Sequence, residues 1–230
     1  MQSRKYWTFL ALGAASLLSR ASPAGETPNA EECPGAAAWA LEHPTASYSA
    51  PQGDGRSAIS EPALLEELKL RAERDQAARK RWLVDQGNSE LFSAVDSVDT
   101  ENVAWLRNLV STKGFPTAAQ VGKQGVHLAW LLLQHADQDP KLQNDLLPTL
   151  ERRFAAGELP ANDLARITDR VLMAGSKPQK YGTQFDWFAG EFSLPEQRTL
   201  VEIDAARAKL GLMPLADYVC TLRKARTAVK

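Results

Sequence analysis

Only two cysteines, Cys33 and Cys220, occur among the 230 residues, and neither lies in a CxxC. A dithiol redox motif and a zinc-ribbon site are therefore unsupported. Long apolar runs are also missing. The longest, TFLALGAASLL from Thr8 to Leu18, falls well short of the ~20 residues that a membrane-crossing helix needs. Basic charge is not in excess, with 27 Lys and Arg against 28 Asp and Glu. A nucleic-acid groove, which needs a basic stripe to displace counterions, is not expected, and no Lys/Arg-rich amphipathic helix offers itself to a membrane surface. GxSxG, Walker, HExxH and GxGxxG patterns are all absent, so none of the commoner catalytic scaffolds is announced. There is no internal repeat.

The N-terminus carries Arg4 and Lys5, then the apolar run, then the small residues of SRASPA. That order predicts a cleavable signal peptide over residues 1–21, cut after Ala21 or Ala24, and a periplasmic or secreted protein without a membrane span. Removing its three basic residues leaves 24 basic against 28 acidic residues, a mildly acidic mature chain. An oxidising compartment favours a Cys33–Cys220 disulfide. Residues 22–58, rich in Pro, Gly, Ala and Ser, read as a flexible tail with one short turn of helix around Ala36 to Leu41 that Trp39 can anchor.

Residues 59–226 read as one mainly α domain, a helical bundle with one small β-hairpin. SEPALLEELKL opens a helix with Ser60 as N-cap and Pro62 in its first turn. DTENVAWLRNLVSTKG starts at a cap on Asp99 or Thr100 and stops at Gly114. Thr117 and Gln120 form a capping-box pattern ahead of an apolar run from Val126 to Leu133. Asp139 before Pro140 reads as another cap, and Pro148 is placed to kink or divide the helix that follows. QKYGTQFDWFAGEFSL is the hairpin candidate.

The greasy helix ends in QHADQD, which gathers His135, Asp137 and Asp139 within five positions. His127 and His135 are eight residues apart, about 12 Å along a helix, so a metal shared between them is disfavoured. No metal and no cofactor is expected. His135 with Asp137 or Asp169 is the candidate acid/base set. Arg170, Gln179, Tyr181, Thr183 and Gln184 are the candidate ligand-binding set, Arg170 for an anionic group and Tyr181 for a developing oxyanion or sugar hydroxyl. The competing reading makes these side chains a buried hydrogen-bond network that locks helices to the hairpin. His135, at the end of the most apolar helix, is expected inside such a network, and Tyr181 on an exposed hairpin edge.

QHADQD with Gln143, TDRV at Thr168–Val171, PQKYGTQ at Pro178–Gln184 and GLMPLADY at Gly211–Tyr218 together resemble a bacterial domain family of unknown function, number 6624 in the series of such domains. The pattern also takes in Asp75, Gln76 and Arg79, then Val121, Gly122, Gly125 and Ala129 to Leu132. It covers roughly Leu64 to Tyr218, and Leu142 stands where the family often has an aromatic. The resemblance implies a frequently secreted, mainly helical unit and supplies no reaction, substrate or cofactor. The expected function is a non-catalytic interaction or polar-ligand-binding module of the periplasm, its partner an unknown polar ligand or periplasmic protein. The alternative is a cofactor-free hydrolase acting on cell-envelope material through a His/Asp pair.

Overall fold

A computed structural model describes residues 32–43, 59–188, 191–193 and 198–227. The expected signal peptide and most of the expected tail lie outside the described residues. Eight helices are described: α1 (Pro34–Glu42), α2 (Pro62–Val84), α3 (Ser89–Lys113), α4 (Ala118–Gln134), α5 (Pro140–Ala155), α6 (Ala161–Ala174), α7 (Leu200–Lys209) and α8 (Leu215–Thr227). None of them is long and apolar enough to cross a membrane.

The mainly helical class is as expected, but the expected single bundle with a β-hairpin is corrected. The described helices divide into two compact units, α2 to α5 within residues 50–167 and α1, α7 and α8 within residues 1–49 and 168–230, and the division falls inside α6. The hairpin expected over Gln179–Leu194 is cut back, because among the described residues only Asp186–Phe188 and Glu191–Ser193 pair, antiparallel and over three residues a side. The physical reason lies just upstream. The backbone amides of Lys180, Tyr181 and Thr183 donate to the side chain of Asp169, which takes them out of any strand ladder.

In the unit of residues 50–167, α2 packs on α3 and α4, α3 on α4, and α4 on α5. Leu68, Leu106, Val126, Ala129, Trp130, Leu132, Leu133 and Leu150 are buried there. Local chemistry sets most helix ends. Thr117 and Gln120 complete the capping box of α4, Asp139 caps α5 through the Leu142 N–H, and Gly114 ends α3 with φ at 80°, where a side chain would be strained. Helix α4 is broken at Gly122 (φ 69°) and ends at His135, whose N–H reaches back to the Leu131 carbonyl. The Gln143 amide donates to the Leu133 carbonyl and so ties the start of α5 to the end of α4.

Three local expectations are corrected. Glu61, not Ser60, occupies the cap position of α2, and the Ser60 hydroxyl donates to the Ala119 carbonyl 59 residues on. Helix α3 begins ten residues before Asp99, where the Asn88 side chain accepts from the Glu90 and Leu91 amides. The stronger cap wins, and Asp99 is left mid-helix. Helix α5 runs through Pro148 without division.

In the other unit, the Cys33–Cys220 disulfide joins the start of α1 to α8, with Cα atoms 5.9 Å apart. Cys33, Ala36, Phe185, Ile203, Met213, Leu215 and Tyr218 form its core, with Trp39 packed against them. The short helix expected around Trp39 is therefore a full helix, docked by a covalent bond and an apolar face.

Candidate functional site

Asp75 and Arg79 are one turn apart on α2, on the stripe that also carries the buried Leu68, Ala72 and Trp82. The bundle core thus meets a carboxylate and a guanidinium on one helix face. Asp75 is 1% exposed, and both its oxygens lie 2.9 Å from Nδ1 of His135, itself 4% exposed. A nitrogen set between two carboxylate oxygens carries its proton, so His135 donates from Nδ1. Arg79 Nε is 3.0 Å from the same nitrogen, but two donors facing each other make no hydrogen bond. Its bonds go to carboxylates: Nε donates to Asp75 at 3.2 Å and Nη2 to Asp99, on α3, at 2.6 Å. Gln76 Nε2 adds a further donor to Asp75 at 2.7 Å.

The two carboxylates of this cluster are pushed in opposite directions. Burial works to raise the Asp75 pKa, but the neighbouring His135 and Arg79 outweigh it and hold the carboxyl down at about 2. At Asp99 burial dominates. Arg79 opposes it, while the nearby charges of Asp75 and Asp137 add to it, and the pKa rises to about 7. Arg79 stays firmly protonated, because the two aspartates overcome the cost of its burial. The cluster therefore holds one carboxylate that stays ionised at neutral pH and one that titrates near neutrality. Asp137 is exposed in the middle of the segment between α4 and α5.

Further along the same α2/α3 face, Arg71 Nη1 donates to Asn102 Oδ1 at 3.2 Å and its guanidinium lies 4.5 Å over the Trp105 ring. Elsewhere in this unit His127 Nδ1 is 2.6 Å from Asp163 Oδ2, and Trp130 Nε1 donates to the Asp163 carbonyl. Asp139, besides capping α5, accepts from Arg107 Nε at 2.6 Å.

The remaining sequence candidates belong to the other unit, where they wrap Asp169. Its carboxylate, fully buried, accepts from the amides of Lys180 (2.7 Å), Tyr181 (2.9 Å) and Thr183 (2.9 Å) and from the Thr183 hydroxyl (2.8 Å). Burial pushes this carboxyl above its ordinary range, opposed by all four donors. Gln179 and Gln184 close a ring: Gln179 Nε2 donates to the Gln184 carbonyl, and the Gln184 amide donates to Gln179 Oε1. Arg170 Nη2 reaches Gln184 Oε1 at 3.3 Å. Gly182, at φ 63°, passes so close to Leu215 that a Cβ would lie 3.0 Å from its Cδ1. Arg207 is fully buried and donates to the carbonyls of Tyr181 and Met213 while stacking on Tyr218.

Tyr181 is thus not on an exposed edge. It is 4% exposed, held through its N–H by Asp169 and through its carbonyl by Arg207. His135 falls inside a buried network, with Asp75 as its orienting carboxylate. Asp169, Arg170, Gln179, Tyr181, Thr183 and Gln184 are brought together, and His135 with Asp137 belongs to the first unit. Among the described residues, no group of three or more His, Cys, Asp and Glu side chains is placed to hold a metal ion.

Asp75, Arg79 and Asp99 were missed as site residues by sequence reasoning. The signal for the first two was present: an Asp and an Arg four apart on a stripe otherwise occupied by Leu68, Ala72 and Trp82. Asp99 gave no such signal, because its partner lies 20 residues away on another helix.

Residues 62–230 match the model of a family described as "Family of unknown function (DUF6624)". Neither a curated protein nor a solved structure matches the chain.

Proposed function

The chain belongs to the DUF6624 family of unknown function, and we propose that this member is a non-catalytic module that binds a polar ligand or partner protein outside the cytoplasm. The observation that carries the reading is the internal commitment of the groups a reaction would need. Asp169 spends its carboxylate on four donors of its own chain, and the orienting nitrogen of His135 is held by Asp75, with both residues almost wholly buried. Such a network fixes one arrangement of helices and loop. Binding falls to the solvent-reached rim: Arg79 and Asp99 at one end of the α2/α3 face, with the exposed Asp137 of the α4–α5 segment close enough for its charge to act on both, and Arg71 with Trp105 at the other end. Export is supported by the basic, apolar and small order of the first residues and by the Cys33–Cys220 bridge, of a kind that persists in oxidising compartments.

One observation favours hydrolysis as the second reading. A carboxyl that titrates near 7 beside Arg79, on a rim reached by solvent, is suited to general acid/base work at neutral pH. Wild type, His135→Ala and Asp99→Asn incubated with purified peptidoglycan separate the two. The binding reading expects no soluble fragments from any of them. Fragment release by the wild type that both variants lose would replace it with the hydrolase.

A further inference from the structure

Asn102 is 4% exposed, in the middle of α3, facing α2. Its Oδ1 accepts from Arg71 Nη1, which fixes the orientation of the amide, since the flipped group would set a donor against the guanidinium. Among the described residues, Nδ2 then has no hydrogen-bond partner. A buried amide donor left unpaired is costly, and helix interiors seldom keep one without a use. Around it stand a guanidinium on an aromatic face, Arg71 over Trp105, both partly exposed.

The charges along this face are already matched. Arg71 Nε donates to Glu67 at 2.7 Å, and Arg79 is shared between Asp75 and Asp99. An anion would meet Glu67 without an unmatched cation to receive it, and a cation would bring no acceptor to Nδ2. What the site needs is a neutral acceptor oxygen with a small apolar group beside it for the Trp105 ring. We infer that Asn102, Arg71 and Trp105 form a subsite for an uncharged amide carbonyl, as carried by N-acetyl groups and peptide bonds, with the carbonyl oxygen on Asn102 Nδ2. The inference rests on the binding reading above and names the ligand chemistry for that face. Entry requires the Arg71 guanidinium to tilt off the Trp105 ring while Nη1 keeps its bond to Asn102 Oδ1, and its other tie, to a part-exposed Glu67, is one that solvent weakens.

The test is titration of the 15N-labelled full chain, followed at the Asn102 side-chain NH2 and the Trp105 indole N–H. The probes are N-methylacetamide, N-acetylglucosamine, sodium acetate and glucose. The two amide probes should give saturable shifts at both positions, and acetate and glucose at matched concentration and ionic strength should not. Asn102→Asp keeps the acceptor for Arg71 but removes the donor, so it should weaken the amide probes by about tenfold or more at the Trp105 signal. Saturable shifts with acetate or glucose that exceed those of the amides would overturn the carbonyl assignment and leave the binding reading standing. The absence of a saturable shift with any probe would mean that Nδ2 is met by buried water only, and the proposal falls. The wild-type titrations decide by themselves, so a variant that failed to fold would not rescue it. The peptidoglycan assay judges the binding reading independently of this result.

Discussion

Replacing Asp75 by Asn exchanges one oxygen for an NH2 group at the centre of the buried cluster. The wild-type carboxylate accepts from His135 Nδ1, Arg79 Nε and Gln76 Nε2. Asparagine keeps one acceptor oxygen and turns an NH2 toward groups that are all donors. Losing charge-assisted hydrogen bonds costs about 1.5–3 kcal/mol, and breaking a buried pair by removing one partner costs about 3–5 kcal/mol. A loss of about 3 kcal/mol at pH 7 is expected. Part of it is tied to pH. The folded-state pKa is lowered from 3.8 to about 2, so the ionised group contributes stability that is fully present above the unfolded value and lost as pH falls through about 2. At about 1.4 kcal/mol per unit this share is roughly 2 kcal/mol. Urea denaturation of wild type and Asp75→Asn at pH 7 and near pH 2 measures both parts. The gap should narrow from about 3 to about 1 kcal/mol on acidification. His135→Ala should also destabilise, and the double variant should lose less than the two singles combined, since the residues touch. An Asp75→Asn protein within about 0.5 kcal/mol of wild type at pH 7, or a gap unchanged at low pH, would refute the reasoning.

Asp99 carries the opposite sign. Its folded pKa is raised from 3.8 to about 7, so the unfolded chain releases this proton first and wild-type stability falls as pH rises between those values. Asp99→Asn removes the titration. The variant should therefore show a flatter stability profile from pH 4 to 8, and an unchanged slope in urea midpoints would reject the assignment. For the disulfide, the bridge closes a separation of 187 residues, which in the chain-entropy model is worth about 5 kcal/mol as an upper figure. Reduction should lower the melting temperature measured by circular dichroism, and a melt indifferent to reductant would show that the apolar docking of α1 suffices without it.

The Thr117–Gln120 capping box, the Asp139 cap and the tie between Cys33 and Cys220 were legible without coordinates, the caps of α2 and α3 were not, and the polar cluster was legible only in halves. His135 stood out because it closes an apolar run, and Asp169 because it sits in a motif, yet their partners were misassigned or missed. Asp99 looked like a cap because a polar residue preceded an apolar period, and the better cap at Asn88 was overlooked. Tyr181 looked exposed because Gly182 follows it. In the folded chain that glycine allows the backbone a close approach to Leu215, which buries the tyrosine.

Several features that depend on neighbours three or four residues apart could be read from the chain alone. The Thr117–Gln120 box, the Asp139–Pro140 start of α5, the Gly114 stop and the mainly helical class are all settled within single turns of backbone. Tertiary structure decided what depends on contacts between distant segments. Asp75 meets His135 across 60 residues, the helices divide into two units, and the would-be hairpin surrenders three amides to Asp169. Those outcomes turn on competition for buried donors and acceptors. A residue type and its spacing state that a buried group must find a partner, and only the packing of helices selects which one it finds.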